Sequence, residues 1–517
     1  MGNGIVEFYK TKIKKPYKIA FFSTIIVFLM IHFYKIANTL PNHDSVYNYY
    51  SSQDMTGSGR WALSLACGIS SYYDLPWING LMSSLFLAFT VVTIVAVLKI
   101  ENSIIIMLAG GMLAASPATT ETLFFLYTAD GYMLAMFFAS VSVYLSRVDE
   151  KRVLFQILSV ICICISCGIY QAYVSFSLIL SICYFIDVLL DNRYEKRECF
   201  KWVLRQVVIY IGAMALYFTI WQLCMHFKGV QPNDYQGISE VGKLSIGLFI
   251  HGFVSTIKTF IRYFFQWNVL RYGFSLYSIL NILFLIIMII GIINACIKSK
   301  IMKRKWAMIL LILCLCMIIP FTSIWHFASA SVWYRAMMLQ SMTLLFVLTA
   351  LLYEKWTKII AKNIVGLFLI LTVFNNAIIA NICYFYMNMC YERTYAEGME
   401  MMIKIHALQN EYEVNKIAVI GNRINEVQYK DIDLETGKIQ LIGKIHVLSG
   451  LLEKTLLYDS DHTTKFLKAT FGLELEPLNN MQSNALLRCK EVQDMECWPL
   501  DNSISVIDDI IIIKFSS

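Results

Sequence analysis

The chain has 517 residues, of which 58% are hydrophobic and only 15% carry a charge. A soluble protein of this length would have about 25% charged residues, so the composition excludes an ordinary soluble enzyme and favours a protein embedded in a membrane. The formal net charge is +7, but the basic residues stand in short clusters between apolar runs, which argues against nucleic acid as a partner. Most of the 14 cysteines lie inside the apolar runs, where they act as small hydrophobic residues.

Eleven apolar stretches predict membrane-spanning helices, because each is long enough, or nearly long enough, to cross a bilayer. The first follows a basic segment and lacks a small-residue cleavage site, so we expect a retained helix rather than a cleaved signal. Stretches 103–117 and 153–168 are short for a full crossing and must tilt little, extend beyond these bounds or be partly buried. The predicted spans are residues 19–38, 76–99, 103–117, 123–146, 153–168, 170–190, 203–226, 277–297, 306–325, 332–352 and 359–384.

The lysine and arginine residues between the stretches predict their orientation, since cytoplasmic loops are enriched in both. With eleven spans the basic clusters all fall on one side, which we take as cytoplasmic. The amino terminus is then inside, whereas the loop 39–75 and everything after about residue 385 lie outside. The basic clusters occupy residues 10–18, 147–152, 193–201, 298–305 and 355–362.

The external segment 227–276 has both ends outside in this plan. Within it, residues 244–267 are apolar enough to suggest a crossing, but Lys258 and Arg262 lie four positions apart on one helical face, among aromatic residues. This pattern favours an amphipathic helix that lies in the membrane interface. A re-entrant hairpin is the alternative.

The chain changes character near residue 385. We expect residues 1–384 to form the transmembrane module and residues 385–517 to form a small extracytoplasmic α/β domain that begins with a helix at 391–410. Cys489 and Cys497 in this domain could form a disulfide in an oxidising compartment or stay as two unpaired thiols. Short β-like runs lie at 416–421, 439–447 and 503–515.

The polar loop after the first span reads PNHDSVYNYYSSQDMTGSGRW, residues 41–61. Asp44 stands just past the first helix, where an acidic residue could act as a general base for a sugar hydroxyl that attacks an anomeric carbon. A helix cap or a solvated acid is the simpler interpretation of Asp44. Asp54 begins a glycine-containing turn, and Arg60 could anchor the loop at the interface or bind phosphate. The tyrosines at 47, 49 and 50 could stack on sugar rings or form an interfacial belt.

Motifs occur in order along nearly the whole chain. They are NHDS after the first span, GRW later in the same loop, LYTADGYMLAMF (126–137), GIYQAYVSF (168–176), VWYRAMMLQ (332–340) and YERTYAEGMEMMIKI (391–405). Their order and topological positions resemble the bacterial glucosyltransferase II family, membrane proteins that modify O-antigen and related surface polysaccharides. The tail MECWPLDNSISVIDDIIIIKFSS also resembles the carboxyl end of family members from bacteria outside the enteric group.

The resemblance implies a C-type membrane glycosyltransferase that uses a polyprenyl-phosphate-linked sugar and places an acidic residue of the first outer loop in its active site. On this chain Asp44 takes the position of the catalytic base, and His43, Asp54 and Arg60 share its loop. Many C-type enzymes carry two adjacent acidic residues there, whereas this chain has His43 and Asp44. A single carboxylate makes a poor site for a hard cation, so a metal requirement is not supported and we expect no cofactor.

A donor that leaves as a lipid phosphate needs cations near the outer membrane surface. The candidates are Arg335 at the outer end of the tenth span, His326 nearby, and Lys258, Arg262 and Arg271 in the external segment. Arg335 could instead snorkel to the interface. The two cations of the amphipathic helix could simply form its solvated face.

Three further residues lie near the predicted outer ends of spans. Asp130, in TADGYM, could cap the fourth span or line the site. Gln171 and Tyr173, in YQAY, could bond sugar hydroxyls or satisfy neighbouring helices.

The leading hypothesis is an integral-membrane enzyme of the bacterial cytoplasmic membrane. It would transfer a hexose, with glucose expected, from polyprenyl phosphate to a surface polysaccharide on the outer face, by direct displacement with inversion. Its partners would be the lipid-linked donor, the polysaccharide acceptor and the bilayer. The alternative is a transporter or flippase of a lipid-linked saccharide, but paired interrupted spans in two related halves are not evident. A scaffold whose outer domain binds glycan is a third hypothesis.

Overall fold

The computed structural model describes residues 13–233, 237, 245–265, 276–421, 455–457 and 459–516. Their internal contacts divide them into two compact units. The described residues of the membrane unit fall within Met1–Ala37 and Ser52–Asn381. Those of the carboxy-terminal unit fall within Asn38–Ser51, Ile382–Thr436 and Gly450–Ser517.

Helices make up most of the described chain. In chain order they are α1 (Lys15–Ala37), α2 (Ser45–Asn48), α3 (Leu63–Cys67), α4 (Pro76–Leu98), α5 (Ser103–Ala115), α6 (Pro117–Phe124), α7 (Leu126–Leu145), α8 (Val153–Ile169), α9 (Val174–Asp191), α10 (Lys196–Lys228), α11 (Ile246–Phe265), α12 (Leu276–Lys298), α13 (Lys305–Thr322), α14 (Thr343–Trp356), α15 (Ile359–Tyr412), α16 (Ser460–Phe471), α17 (Asn480–Leu486) and α18 (Lys490–Asp494). The strands are β1 (Lys416–Ile420), β2 (Glu476–Pro477), β3 (Ile504–Ile507) and β4 (Ile510–Lys514). Short 3₁₀ turns include Thr56–Ser58, Gln171–Tyr173, Ile324–Phe327 and Ala336–Met342.

Within the described ranges, nine helical segments are long and apolar enough to cross a membrane. Helices α5 and α6 together form one further, bent segment with an angle of 42° between them. The shorter apolar helix α8 has 17 residues. Each of the eleven predicted stretches therefore coincides with a helix, and the predicted class, a polytopic helical membrane protein with a small carboxy-terminal α/β domain, is confirmed.

The bend between α5 and α6 has a local cause. Pro117 disfavours helical geometry at the residue before it, and Ser116 has φ −62° and ψ 145°. The Ser116 hydroxyl then accepts from the backbone N–H of Thr119 at 3.1 Å and caps α6, which starts with proline at its first position. The helix predicted over 103–117 therefore ends at Ala115, and α6 follows it at an angle of 42°.

The helix predicted at 391–410 is not a separate element. It is part of α15, which runs without interruption for 54 residues from Ile359 to Tyr412. No proline interrupts this sequence, and the single internal glycine near the expected end, Gly398, is tolerated within the helix. The compact units divide α15 between Asn381 and Ile382.

Four of the five basic clusters lie together at one end of the membrane unit. Nζ of Lys151 lies 3.0 Å from the carboxylate of Glu198, which joins the loop before α8 to the first turn of α10. Nζ of Lys355, at the end of α14, lies 2.9 Å from the carboxylate of Asp191, at the end of α9. Arg304, before α13, donates to a backbone carbonyl of α9 at 2.9 Å. This grouping agrees with the orientation plan, while the side of the membrane stays a prediction.

The centre of the membrane unit is formed by the segments Gln171–Asp191 and Ala336–Trp356, which are almost entirely buried. Small residues let neighbouring helices approach closely. A Cβ on Gly110 of α5 would lie 2.5 Å from the hydroxyl oxygen of Thr24 on α1, and one on Gly291 of α12 would lie 2.8 Å from the ring of Tyr353 on α14.

Helix α11 occupies the segment for which the sequence left two interpretations. It is one unbroken helix, Ile246–Phe265, which argues against a hairpin over these residues. Its buried side includes Gly252 and Thr256, and a Cβ on Gly252 would lie 2.7 Å from the ring of Phe327. An amphipathic helix packed on one side is the arrangement that the sequence favoured.

The carboxy-terminal unit contains a four-stranded sheet in the order β2-β1-β4-β3. β1 is parallel to both of its neighbours, and β3 and β4 form an antiparallel hairpin. The predicted runs 416–421 and 503–515 are thus confirmed as strands, whereas 439–447 lies outside the described residues. Cys489 and Cys497 do not form a disulfide with each other.

Candidate active site

Asp54 starts the turn that its sequence predicts. One carboxylate oxygen accepts from the backbone N–H of Thr56 at 3.2 Å and from its hydroxyl at 2.6 Å. The other oxygen lies 2.7 Å from Nζ of Lys228. Burial alone would raise the pKa of Asp54, but the hydrogen bonds from Lys228 and Thr56 outweigh it and hold that pKa below its usual range. Asp54 is therefore an anchor at the start of the loop.

Three side chains cap the backbone of the glycine-containing turn that follows. Nε1 of Trp221, Nε2 of Gln171 and the hydroxyl of Tyr217 donate to the carbonyl oxygens of residues 56, 58 and 59, at 2.8, 2.7 and 3.0 Å. Nε2 of Gln171 also donates to the Tyr217 hydroxyl at 3.1 Å. Buried carbonyls need such partners because water cannot reach them. The amide nitrogen of Gln171 thus supports the loop, which favours its structural interpretation over sugar binding.

Gly59 is required by this arrangement. Its φ is +80°, a left-handed conformation that glycine adopts most readily. A Cβ at this position would lie 2.5 Å from Nε2 of Gln171 and 2.5 Å from the hydroxyl oxygen of Tyr217. The turn can therefore approach Gln171 and Tyr217 this closely only because residue 59 has no side chain.

Arg60 leaves this turn with its guanidinium against aromatic rings. The guanidinium carbon lies 4.8 Å from the centre of the Tyr170 ring, and Nη1 donates to the hydroxyl of Tyr132 at 3.1 Å. The rings of Tyr132 and Tyr170 stack at 4.2 Å with an angle of 14° between them. The stacked pair therefore helps to fix the direction of the guanidinium.

Arg335 is a second cation held by aromatic side chains. Its guanidinium carbon lies 4.8 Å from the centre of the Trp333 ring and 5.1 Å from that of Phe125. Its Nε is buried and has no hydrogen-bond partner within the described residues. A buried donor without a partner is costly, so an anionic ligand at this guanidinium would relieve that cost. This favours ligand binding over snorkelling.

Two further turns join the same region. Nε1 of Trp325 donates to the carbonyl of Gln171 at 2.9 Å, and its backbone N–H donates to the hydroxyl of Tyr334 at 3.0 Å. The turns Gln171–Tyr173 and Ala336–Met342 also contact each other. We call the combined segments the loop cluster: residues 54–61, 170–173, 324–327 and 333–342.

His326 lies in the loop cluster but does not supply a positive charge. Nε2 of its ring lies 2.9 Å from the hydroxyl of Thr259. Burial, and then the nearby His251, lower the pKa of His326 to about 4. The imidazole is therefore neutral at neutral pH, so the expectation that it acts as a phosphate-binding cation is corrected, because desolvation disfavours its charged form.

Other predicted residues lie in several environments. Lys258 and Arg262 are exposed on α11, as expected for the outward face of an amphipathic helix. Arg271 lies outside the described residues. Tyr173 is fully buried and packs edge to face on Tyr170 at 5.5 Å, so its described contacts are structural.

Asp130 is not the cap of the fourth span, so the simpler interpretation was wrong. Helix α7 begins at Leu126, which places Asp130 one turn inside it. One carboxylate oxygen accepts from the N–H of Gly131 at 2.9 Å, and the other is buried with no hydrogen-bond partner among the described residues. Lining the site stays a prediction for this residue.

Sequence reasoning missed three charged groups, Glu121, Asp74 and Lys35. Glu121 is fully buried in α6 and accepts from the backbone N–H of Met337, two residues after Arg335. Asp74 is partly buried in the membrane unit, and desolvation raises its pKa to about 6 against the opposing charge of Lys35. A charge inside or beside an apolar stretch is itself the signal that could have identified them. No group of three or more potential metal ligands occurs in the described ranges.

Asp44 lies in the carboxy-terminal unit, with His43, although both precede the loop cluster in sequence. Asp44 occupies the position before α2, but its side chain makes no capping hydrogen bond. Its carboxylate is 41% exposed and lies 3.3 Å from Nε2 of His43. The helix-cap interpretation is therefore wrong, and the carboxylate is accessible to a ligand.

Gly59→Ala should destabilise the membrane unit beyond the cost of the left-handed backbone, which is about 1–2 kcal/mol. The added Cβ meets two hydrogen-bond donors, and overpacking typically costs a further 1–3 kcal/mol, roughly. Thermal unfolding in detergent measures the loss. Gly229→Ala is the matched control, because Gly229 also has a positive φ (+65°) but has open space around its Cβ direction. Equal shifts in the two variants would contradict the proposed packing.

Comparison with known proteins gives one family. No curated protein and no solved structure matches the chain. The sequence model described as Glucosyl transferase GtrII matches residues 33–350, which include the loop with Asp44 and the loop cluster with both aromatic-held arginines. The chain belongs to the GtrII glucosyltransferase family and is a membrane glycosyltransferase of the kind that modifies surface polysaccharides.

Proposed function

We propose that the protein transfers glucose from a polyprenyl-phosphate donor to a cell-surface polysaccharide, with inversion at the anomeric carbon. Family membership supports glycosyl transfer. The observation that carries the finer proposal is the apolar cavity beside the loop cluster, which suits a donor with a long hydrocarbon chain. Asp44 would accept the proton of the attacking acceptor hydroxyl, and the sugar would leave its lipid phosphate in one displacement.

The cavity has a volume of about 670 Å³ and lies between α9, α10 and α13. Its walls are almost entirely hydrocarbon, including Leu178, Met214 and Met317. It reaches Val174 and Trp325, the second of which bonds to the carbonyl of Gln171 in the loop cluster. An isoprenoid chain in this cavity would gain the free energy of apolar burial while its phosphate stays near the polar turns.

Arg335 and Arg60 are the groups that we assign to the donor phosphate. A guanidinium presents several donors in a planar fork that suits phosphate oxygens. Both guanidinium groups lie against aromatic rings in the loop cluster. His43, Asp54, Asp130, Gln171, Tyr173, Lys258, Arg262 and His326 stay weaker candidates for substrate contacts.

The orientation follows from the basic end of the membrane unit. Since cytoplasmic loops are enriched in lysine and arginine, this end would face the cytoplasm of a bacterial cell. The loop cluster is at the opposite ends of the same helices: α9, for example, runs from Val174 beside the cluster to Asp191 at the basic end. The loop cluster would then face outward, where a surface polysaccharide is available.

Transfer can be tested directly with purified protein in liposomes. Labelled polyprenyl-phosphate glucose and candidate acceptor glycans should give labelled glycan. Movement of label across the liposome membrane without transfer would instead support a flippase. Absence of both reactions with a range of donor sugars would reject the proposed donor class.

Asp44→Asn should fold, bind donor and lose turnover by roughly two orders of magnitude, because an amide cannot accept the proton that a general base removes. The assay compares kcat for labelled transfer. Asp54→Asn is the matched control, since its side-chain oxygen still accepts from Thr56 and only an exposed ion pair worth about 0–1 kcal/mol is lost. Normal turnover in Asp44→Asn together with lost turnover in Asp54→Asn would show that Asp44 was wrongly assigned as the base.

Arg335→Ala should raise the KM for donor by more than tenfold, since hydrogen bonds to charged groups contribute roughly 1.5–3 kcal/mol. Arg335→Lys should be intermediate, because it keeps the charge but loses the planar fork. Arg152→Ala is a suitable control: its guanidinium also lies over an aromatic ring, Phe155 at 3.7 Å, but in a basic loop. Unchanged donor binding in Arg335→Ala would contradict phosphate binding by Arg335 and favour the interpretation that it snorkels to the interface.

Met214→Trp should fill part of the cavity and weaken binding of donors with long polyprenyl chains. We expect the KM for a long-chain donor to rise about tenfold, equivalent to about 1.4 kcal/mol, with no change for a donor of two isoprene units. Met30→Trp, on the exposed side of α1, makes the same substitution outside the cavity. An equal rise in KM for the long-chain and the two-isoprene donors would contradict binding of the polyprenyl chain in this cavity, and would show that the cavity holds other lipid chains.

A further inference from the structure

The backbone around Asp44 is fixed within its own short segment. The side-chain oxygen of Asn42 accepts from the backbone N–H of Ser45 at 2.9 Å, and the backbone N–H of Asn42 donates to the Ser45 hydroxyl at 3.1 Å. The carbonyl of Asp44 accepts from the N–H of Tyr47 at 3.2 Å and from the side-chain amide of Asn48 at 2.7 Å. The position of the Asp44 carboxylate therefore depends on how this whole turn is held.

The turn is anchored in the core of the carboxy-terminal unit. Val46 is only 5% exposed and belongs to the same apolar cluster as Ile405 of α15, Phe466 of α16 and Trp498. Tyr47 packs against that cluster as well. Helices α2 and α16 are in contact. Val46 and Tyr47, which follow Asp44 by two and three positions, are thus held by an element more than 400 residues later in the chain, since Tyr47 and His462 are 415 positions apart.

A polar contact with His462 orients the Tyr47 side chain. The Tyr47 hydroxyl lies 3.0 Å from Nδ1 of His462, which lies 2.8 Å from a carboxylate oxygen of Asp459. The Tyr47 and His462 rings meet edge to face at 4.5 Å. Nζ of Lys465 lies 3.7 Å from the centre of the Tyr47 ring. Tyr47 is therefore held at its hydroxyl, at its edge and on one face.

Asp459 connects the contact to the start of α16. The carboxylate oxygen that lies near the His462 ring also accepts from the backbone N–H of His462 at 2.9 Å, which caps the helix. Burial, and then the carboxylates of Asp461, Asp459 and Asp44, raise the pKa of Tyr47 well above its usual range. The phenol therefore keeps its proton and stays a hydrogen-bonding group throughout the working pH range.

We propose that Tyr47 and His462 are positioning residues for Asp44, and that the carboxy-terminal domain acts in catalysis by holding the general base in place. The proposal rests on the assignment of Asp44 as the base in the proposed function. A base misplaced by about 1 Å can lose on the order of 10² in rate. Contacts that hold its turn can therefore control kcat without touching either substrate.

Tyr47→Phe is the sharpest test, because it removes one hydroxyl and keeps the ring contacts with His462 and Lys465. We expect kcat for labelled transfer to fall about tenfold, with unchanged KM for donor and unchanged Tm. His462→Ala should lower kcat similarly, and His462→Gln, which retains hydrogen-bonding capacity, should recover part of the loss. Lys468→Ala is the control on α16, since Lys468 forms an ion pair at the surface with Glu474; it should leave kcat unchanged.

The double variant separates positioning from general damage. If Tyr47 acts through Asp44, Tyr47→Phe should cost little additional kcat in an Asp44→Asn background, whereas independent effects would multiply. Full multiplication, or normal kcat in both Tyr47→Phe and His462→Ala while Asp44→Asn is impaired, would overturn the positioning role alone. Normal kcat in Asp44→Asn would instead reject the base assignment itself, and the positioning role with it.

Discussion

The membrane unit depends on satisfying the backbone of one polar loop in an otherwise apolar structure. A carbonyl that is buried away from water and has no hydrogen-bond partner is costly. Three carbonyls of the turn 56–59 avoid this cost, because they accept hydrogen bonds from two side chains of α10 and from Gln171. Tyr217 and Trp221 lie four residues apart on α10, so one helical face supplies two of the donors. Lys228, two turns further along, holds Asp54. Helix α10 extends to Lys228, two residues beyond the predicted end at residue 226, and this extension brings Lys228 to the loop.

The two arginines of the loop cluster follow a common principle. Each guanidinium lies against aromatic rings, which attract a cation through their quadrupole but do not neutralise it. A carboxylate at the same position would remove most of the positive charge that a phosphate needs. At Arg335 the aromatic neighbours therefore orient the cation and preserve its charge for a ligand, and its buried Nε, which has no hydrogen-bond partner within the described residues, is consistent with that use.

The sequence was sufficient for features set by local patterns. Long apolar runs identified the long helices of the membrane unit, and Asp54 before MTGSGR identified a turn that the structure contains. Two kinds of feature were missed. The bend at Ser116 shows how one proline ended a span early, and Glu121 was overlooked because one charge within an apolar run did not change the prediction of a helix. The neutral state of His326 depends on burial, which periodicity does not reveal.

The environment of Asp44 could not be predicted for a more basic reason. Hydrophobic periodicity describes neighbours within a few residues, whereas Val46 and Tyr47 are held by residues of α15, α16 and the sheet far along the chain. In the sequence, HDSVYNYY is a short polar segment with no period of its own. Its order comes from the core of the carboxy-terminal unit, which buries Val46 and engages the Tyr47 hydroxyl. A sequence can therefore indicate which carboxylate could serve as a base, but the contacts that hold that carboxylate become visible only in the folded chain.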